Sequence, residues 1–210
     1  FGLVLTDENG KIKKFIEKPK PEEIISDKIN AGVYVFQPDV LEEIPPNKNV
    51  SIEKETFPQI LQKGKEMFGY IHYGYWLDVG TIDKFRKANF DVLDGEISLL
   101  YQVNEKNVIS EPSSIIPEEI SIDGKLVVGK GSLLKENIEI KGKCIIGDNC
   151  FIGENCNIEN SIIFNNVYIE DNCEIKNCII GKEVIIKSNS SLRDLALADK
   201  SLIYDFTKEI

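Results

Sequence analysis

Three short segments near the start of the chain carry side chains that could do chemistry. The first, Glu17-Lys18-Pro19, follows an apolar alternating run. Lys18 could meet a phosphate as a point charge, and Glu17 could accept hydrogen bonds from sugar hydroxyls. The alternative interpretation is an ordinary solvated turn, because charged residues and proline are common where a strand ends.

The second segment is Asn30-Ala31-Gly32, at the start of a β-rich run. Gly32 would let a ligand come close to the backbone, and the Asn30 amide can both donate and accept hydrogen bonds. The alternative is a glycine at a β-bulge.

The third segment is the loop Trp76-Leu77-Asp78-Val79-Gly80-Thr81. Asp78 precedes a predicted helix, and a lone carboxylate there can ligate Mg²⁺, which is typically held by one or two carboxylates and the phosphates of a substrate. The alternative is that Asp78 only caps that helix.

Strands and helices must position these segments, and the sequence predicts both. Residues 1–16 predict a hairpin whose turn is Asp7-Glu8-Asn9-Gly10. The patterns that follow predict a buried strand over 29–36 and a short helix over 38–44. They then predict a helix over 51–64 that is capped by Ser51, and a further strand over 68–75. A helix of about fifteen residues follows from residue 81 and is capped by Thr81. This first half therefore has an α+β texture, with strands and helices interleaved.

From residue 116 a six-residue period governs the sequence. The aliphatic residues six apart are Ile116, Ile122, Val128, Leu134, Ile140, Ile146, Ile152 and Ile158. The series resumes one residue short of frame at Ile169 and Ile175, and one short again at Ile180, Ile186 and Leu192. No single repeat can bury its apolar side alone, so the repeats predict a stacked parallel β-helix, with the tail from Arg193 as its cap.

The corners of such a coil need tolerant residues. Glycine directly follows the aliphatic position at Gly129, Gly147, Gly153 and Gly181. Asparagine, which accepts left-handed backbone geometry, lies three residues after the aliphatic position at Asn149, Asn155 and Asn172. Four cysteines lie four residues after it, at Cys144, Cys150, Cys156 and Cys173. We interpret them as small core residues rather than metal ligands, because none has zinc-type Cys-x-x-Cys spacing.

The composition narrows the classes of function. The net charge is −10, which is unfavourable for general nucleic-acid binding. The sequence contains no apolar run of membrane-spanning length and no signal peptide, so we expect no membrane partner. Five cysteines, an odd number, indicate reduced thiols and a cytoplasmic location.

Four ordered motifs resemble the second half of the catalytic domain of sugar-1-phosphate nucleotidyltransferases. They are Phe15–Pro19, Ile29–Phe36, Ser51–Pro58 and Tyr75–Thr81, the third being most like mannose-1-phosphate guanylyltransferases. The resemblance implies a partial Rossmann-like α/β nucleotidyltransferase domain over 1–98, a linker over 99–114, and a left-handed parallel β-helix of hexapeptide repeats with its cap over 115–210.

The resemblance also implies roles for the residues that match. Glu17 would hold sugar hydroxyls and Lys18 the sugar phosphate, while Asn30 and Gly32 would line the sugar pocket. Asp78 would ligate Mg²⁺, and Trp76 would pack beside the site. The reaction implied joins a nucleoside triphosphate and a sugar 1-phosphate, with GDP-mannose as the favoured product and dTDP-, UDP- or ADP-glucose otherwise.

One departure from the family pattern is large. The glycine-rich G-x-G-T-R-L loop of the nucleotide site does not occur in these residues, and neither does the second metal carboxylate from the same region. Because the chain opens on Phe1 within a predicted strand, we expect it to be a piece of a longer protein, an expectation that an initiator methionine just before Phe1 would contradict. No complete catalytic set is then expected in this chain.

Two other functions remain open. A hexapeptide-repeat acyltransferase would need a base, commonly a histidine in or near the coils, and the one histidine, His72, precedes the repeat. A regulatory or assembly subunit is the other alternative, because the faces of a solenoid are good interaction surfaces and favour a homo-oligomer. A glycine-rich loop upstream of Phe1 would favour the enzyme.

The missing nucleotide loop generates the first testable prediction. The 210-residue chain alone should show no nucleotidyl transfer when it is given nucleoside triphosphate, sugar 1-phosphate and Mg²⁺. Release of pyrophosphate measures the reaction, and turnover above a protein-free control would contradict the prediction.

Overall fold

A computed structural model describes residues 2–97 and 107–204 of the chain. They form two compact units, Phe1–Trp76 and Leu77–Ile210, so the units divide earlier than the boundary at residue 98 that the sequence predicts. The reason is that residues 77–97 pack on the coil that follows them, as described below. The predicted domain limits of 1–98, 99–114 and 115–210 stay predictions.

The first unit is built on an antiparallel hairpin of β1 (Leu3–Thr6) and β2 (Ile12–Ile16). Asp7 stabilises the turn, because its carboxylate accepts hydrogen bonds from the backbone N–H groups of Asn9 and Lys11, both at 3.0 Å. The predicted hairpin is therefore confirmed.

The two other strands predicted in this unit do not form. Residues 29–36 and 68–75 touch the hairpin only through single bridges, Leu3 with Ile29 and Lys11 with Phe68. A strand needs a hydrogen-bonding neighbour and a layer over its apolar face. The described residues supply neither for most of these runs, so Val33 and Val35 are 82% and 97% exposed instead of buried.

Short helices complete the first unit. Two 3₁₀ turns span Pro21–Glu23 and Pro38–Glu43, the latter close to the predicted helix 38–44. Ser51 caps the next helix as predicted, since its side chain accepts the Lys54 N–H at 3.2 Å. That helix begins as a π-turn, Ile52–Thr56, and continues as α1 (Phe57–Gln62).

Phe57 is the centre of a small aromatic core in this unit. It is 1% exposed, and the rings of Phe15, Tyr34 and Phe36 lie 5.2, 5.0 and 6.1 Å from its ring. All three contacts are edge-to-face, the arrangement that the ring quadrupoles favour. This cluster holds β2, the segment around Tyr34 and α1 together.

The second unit opens with α2 (Ile82–Leu93), which is three residues shorter than expected. Thr81 caps it, accepting the Lys84 N–H at 3.3 Å, as predicted. Asp94 follows the helix and pairs with both Lys125 and Lys143 of the coil.

A parallel β-helix forms the rest of this unit, and the predicted repeat is confirmed. Its strands are β3 (Val108–Ser110), β4 (Ser121–Val128), β5 (Leu133–Leu134), β6 (Glu139–Ile146), β7 (Phe151–Ile152), β8 (Asn157–Glu159), β9 (Ile162–Ile163), β10 (Tyr168–Ile169), β11 (Glu174–Lys176), β12 (Ile179–Ile180), β13 (Ile185–Ile186), β14 (Ser191–Arg193), β15 (Ala196–Leu197) and β16 (Leu202–Ile203).

Strands of successive coils pair in parallel and in register. Ile140 lies beside Ile158, and Ile158 beside Ile175, so each aliphatic residue stacks on its counterpart in the next coil. The spacing falls from eighteen residues between the first two to seventeen between the next two, which confirms the shortened turns. Residues at these positions are 0 or 1% exposed.

The β-helix is longer than the sequence predicted at both ends. It begins at β3, within the predicted linker, because Val108 pairs with Leu126. It continues past Leu192 through β15 and β16, because a third five-residue step places Leu197 and Ile203 in line with the earlier residues. The predicted cap from Arg193 is therefore wrong up to Tyr204, and residues 205–210 lie outside the described part.

At the corners, asparagine adopts the left-handed geometry that the sequence predicts, but Gly153 has a different role from the one predicted. Asn149, Asn155 and Asn172 have φ between 53° and 59°, the left-handed geometry predicted for them. Gly153 instead permits close approach, since a Cβ there would lie 2.4 Å from Asp171 Oδ1. That oxygen accepts the N–H of Glu154 at 2.8 Å, so the glycine leaves room for a hydrogen bond between coils.

The five cysteines are buried and free, as core residues rather than metal ligands. Burial raises the pKa of the Cys144 thiol to about 11, so this thiol stays protonated at neutral pH. Among the described residues no cluster of three or more histidine, cysteine, aspartate or glutamate side chains could hold a metal ion. A search of the same residues finds no helix that is long and apolar enough to cross a membrane.

The coil has three faces that differ in their outward side chains. The polar face (β8, β11, β14 and the first halves of β4 and β6) carries ion pairs such as Lys176 with Glu159 at 2.8 Å. The helix face (β3, β9, β12, β15 and the second halves of β4 and β6) lies under α2, where Phe85 stacks on Phe164 at 6.0 Å. The aromatic face (β5, β7, β10, β13 and β16) contains the stacked rings of Phe151 and Tyr168.

The close approach at Gly153 generates a prediction about stability. Gly153→Ala should lower the free energy of unfolding by about 1 to 3 kcal/mol, because the new Cβ collides with the backbone and side chain of Asp171. Urea unfolding followed by circular dichroism measures the change. The control is Gly80→Ala, where the nearest atom lies at an ordinary 3.6 Å; equal losses in both variants would contradict the explanation.

Candidate functional site

Three residues of the first unit lie side by side in a row next to the start of β1 and the end of β2. Since Leu3 pairs with Ile16 and with Ile29, Gly2 lies between Glu17 on one side and Asn30 on the other. The Asn30 N–H donates to the Gly2 carbonyl at 2.8 Å. Glu17 Oε2 lies only 2.6 Å from where a Cβ of Gly2 would be. The glycine therefore makes space for the Glu17 carboxylate over the backbone of β1.

A hydrogen-bond network continues from this row. The Asn30 amide donates to the Tyr34 hydroxyl at 2.5 Å, and that hydroxyl donates to Glu53 at 3.1 Å. Ser51 donates to the other oxygen of the Glu53 carboxylate at 3.4 Å. Two predicted motifs, 29–36 and 51–58, thus meet at one point through their side chains.

Tyr34 is held firmly as a neutral donor in this network. Burial raises the pKa of its hydroxyl, the Asn30 amide acts in the opposite direction, and the negative charges of Glu53 and Glu17 add to the rise. Its ring stacks on Phe36 at 5.7 Å and meets the edge of Phe57. The aromatic core of the unit therefore fixes the position of the polar network.

Tyr34 and Glu53 are functional candidates that sequence reasoning missed as individual residues. Both lie within the motifs that carry the family resemblance, so the motifs were the available signal. The contact between them joins residues nineteen positions apart, and no spacing rule predicts it.

The other residues predicted for the first unit lie around the same network. Gly32 has φ 76°, and its N–H donates to Asn30 Oδ1 at 3.1 Å. The Trp76 indole donates to the Ala31 carbonyl at 3.3 Å, which places the ring beside this segment. Lys18 directly follows Glu17 with φ 50°, an unusual conformation for a residue other than glycine, and its side chain is exposed.

Asp78 belongs to the second unit. Its side chain is 47% exposed and makes a long ion pair of 3.7 Å with Lys84. Thr81, not Asp78, caps α2. A carboxylate with this exposure fits a magnesium site that phosphate oxygens and water would complete, but not one built from protein ligands alone, because the described residues contain no acidic cluster.

An open apolar groove of about 600 Å³ in the second unit includes part of the loop that carries Asp78. Its walls are Phe85, Phe164, Ile179 and the residues from Val79 to Ile82. None of these wall residues has a titratable side chain.

Comparison with protein families gives two matches in tandem. Residues 1–95 match the nucleotidyl transferase family, and residues 105–205 match the family described as EIF2B subunit epsilon LbH domain. The first match includes α2, so this helix belongs by sequence to the transferase segment although it packs on the coil.

Curated relatives agree with these matches. The chain is 35% identical over 135 residues to mannose-1-phosphate guanylyltransferase of Mycobacterium tuberculosis, an alignment of 63% of this chain and 37% of that protein. It is 33% identical over 142 residues to glucose-1-phosphate adenylyltransferase of Desulfitobacterium hafniense, covering 62% and 35%. It is 49% identical over 85 residues to the catalytic subunit beta of mannose-1-phosphate guanylyltransferase of Drosophila melanogaster, covering 40% and 22%.

The alignments thus span little more than a third of these relatives at most, and the relatives carry the names of different sugars and nucleotides. The order of the two family matches, the four motifs and the parallel coil all agree. Residues 1–95 thus match the nucleotidyl transferase family, and the parallel β-helix that follows lies in the segment that matches the LbH domain family.

Proposed function

We propose that the first unit is the sugar 1-phosphate side of an enzyme that joins a nucleoside triphosphate and a sugar 1-phosphate into a nucleotide sugar and pyrophosphate. The observation that carries this proposal is the row of Glu17, Gly2 and Asn30 joined to Tyr34 and Glu53. A sugar presents several hydroxyl groups, and this arrangement offers carboxylate acceptors and an amide donor side by side.

Each residue has a part that its position supports. Glu17 accepts hydrogen bonds from sugar hydroxyls, and Asn30 offers the second N–H of its amide, since the first is used by Tyr34. Lys18, at the strand end beside Glu17, meets the phosphate as a point charge. In this reaction a phosphate oxygen of the sugar attacks the α-phosphorus in line, so fixing the sugar phosphate is the main contribution of these residues.

Mg²⁺ belongs to the proposal as well. Asp78 would hold it together with phosphate oxygens, and the ion would offset the charge of the phosphates. The other groups named here bind and orient the sugar phosphate without the ion.

Mannose 1-phosphate is the favoured substrate and GDP-mannose the favoured product. Two of the three relatives above are named mannose-1-phosphate guanylyltransferases, and the match to the Drosophila protein has the highest identity of the three. The inactivity of this chain by itself, a cytoplasmic location and self-association through the β-helix remain part of the proposal. Five free buried thiols support the location.

An acyltransferase is the weaker alternative, since His72 belongs to the first unit and the coil contains no histidine. A regulatory or assembly subunit is the stronger one. The description of the matched coil family names a subunit, which is compatible with a role in assembly. Loss of sugar-phosphate binding on substitution of the row would favour the enzyme.

Lys18 provides a direct test of the phosphate role. Lys18→Ala should weaken binding of mannose 1-phosphate by about tenfold or more, since a hydrogen bond to a charged group contributes about 1.5 to 3 kcal/mol. Titration calorimetry measures the dissociation constant. Lys14→Ala is the matched control, because Lys14 is an exposed lysine on β2, the strand that ends just before Glu17 and Lys18. Equal weakening by both variants, or no binding by the unaltered chain, would argue against the proposal.

Tyr34 tests whether the network positions Asn30. Tyr34→Phe keeps the ring in the aromatic core but removes the bonds to Asn30 and Glu53, so sugar-phosphate binding should weaken roughly three- to tenfold, as expected for about one neutral hydrogen bond. Unfolding stability measured in parallel separates this effect from a loss of fold. The control is Tyr70→Phe, whose ring is 91% exposed; an unchanged dissociation constant for Tyr34→Phe would contradict the role.

A further inference from the structure

The aromatic face of the β-helix carries a continuous row of outward apolar side chains. Pairing in register aligns one outward residue per coil, in the order Ile115, Leu133, Phe151, Tyr168, Ile185 and Leu202. Since neighbouring strands are about 4.8 Å apart, this aromatic-face row is about 24 Å long. Four of its members are 40 to 62% exposed, namely Ile115, Tyr168, Ile185 and Leu202.

The equivalent outward positions on the other two faces are either polar or covered by a helix. On the polar face the equivalent residues include Glu139, Asn157 and Glu174, which suit contact with water. On the helix face they include Ile162 and Ile179, which are 4% and 9% exposed within a face covered by α2. An apolar outward row is thus covered where α2 lies over it, while the aromatic-face row remains exposed.

The order of side chains along the aromatic-face row is palindromic. Two aliphatic residues lie at each end, and the stacked pair of Phe151 and Tyr168, with ring centres 4.5 Å apart, lies in the middle. A two-fold axis through the middle of the row would place Phe151 of one copy opposite Tyr168 of the other, and aliphatic residues opposite aliphatic residues. Self-complementarity of this kind is the requirement for an isologous interface.

Polar side chains flank the row on both sides. One flank includes Glu170 and Lys187, which form an ion pair of 2.6 Å within the chain. The corner residues Asn149, Asn166 and Glu183 form the other flank. An apolar centre with a polar rim is the usual composition of a protein interface.

We infer that the aromatic face binds the aromatic face of a second copy of this chain, in antiparallel orientation about a two-fold axis. The row is about 24 Å long and one side chain wide, so its contact area is small beside the roughly 800 Å² per partner that is typical of a stable complex. We therefore expect the dimer to be weak and reversible. This inference rests on the self-association through the β-helix that belongs to the proposed function, but it does not depend on the sugar-phosphate site.

A charge-swap experiment tests the two-fold arrangement. Sedimentation equilibrium of the 210-residue chain across the micromolar range should show a monomer–dimer equilibrium. Phe151→Lys and Tyr168→Glu should each give a monomer, because each buries two unpaired charges in the interface. An equimolar mixture of the two variants should dimerise again, since the introduced lysine then faces the introduced glutamate and the other aromatic pair remains intact.

Asn157→Lys is the matched control. It introduces the same charge at the same position of the repeat, directly before a buried isoleucine, but on the polar face between two glutamates. This variant should dimerise like the unaltered chain, and circular dichroism of every variant shows whether the coil is folded. A monomer at all concentrations, which would leave the face to a partner such as an amphipathic helix, overturns the inference. So do a dimer that survives both substitutions and a mixture of folded variants that stays monomeric.

Discussion

Each coil of the β-helix buries one aliphatic residue per face against the same position of the next coil, and the rest of the second unit depends on this stacking. The hydrogen bonds between coils run through strands of two to eight residues, which would not be stable by themselves. Stacking in register gives them a continuous core of fully buried side chains such as Ile152, Ile158 and Ile169. The corners then need residues that tolerate left-handed geometry or close approach.

The same register determines what the coil presents to the outside. Because every coil repeats the same path, outward residues also align, and their chemistry adds up along each face. Charged residues form ladders of ion pairs such as Arg193 with Glu174. Apolar residues form rows that are stabilised when another element or molecule packs on them. The coil is thereby both a scaffold and a set of three different surfaces.

The first unit follows a different principle, because it has one small aromatic core and little sheet. Phe57 fixes Phe15 and Tyr34 from two directions, and these two residues belong to the segments that bring Glu17, Asn30 and Glu53 together. Packing and polar chemistry are therefore coupled in this unit: the ring of Tyr34 lies in the core, while its hydroxyl lies in the hydrogen-bond network.

Patterns that recur at short range could be read from the sequence. The hairpin turn at Asp7, the caps Ser51 and Thr81 and the period of six all follow from local geometry, and the structure agrees with them. The runs 29–36 and 68–75 have strand composition but do not form strands, since a strand depends on neighbours that composition does not reveal. The end of the coil was placed too early for a related reason, because the five-residue step to Leu197 is visible only when strand pairing is known.

The candidate site divides in the same way. The sequence by itself determined which motifs matter and named Glu17, Lys18, Asn30, Gly32, Trp76 and Asp78. Only the tertiary structure decided that Gly2 separates Glu17 from Asn30, that Tyr34 connects Asn30 to Glu53, and that the outward residues of the coil form one palindromic row. Apart from the contact of Tyr34 with Asn30, these relations join residues that are 13 to 87 positions apart, and such contacts arise from packing and register, which local propensity does not encode.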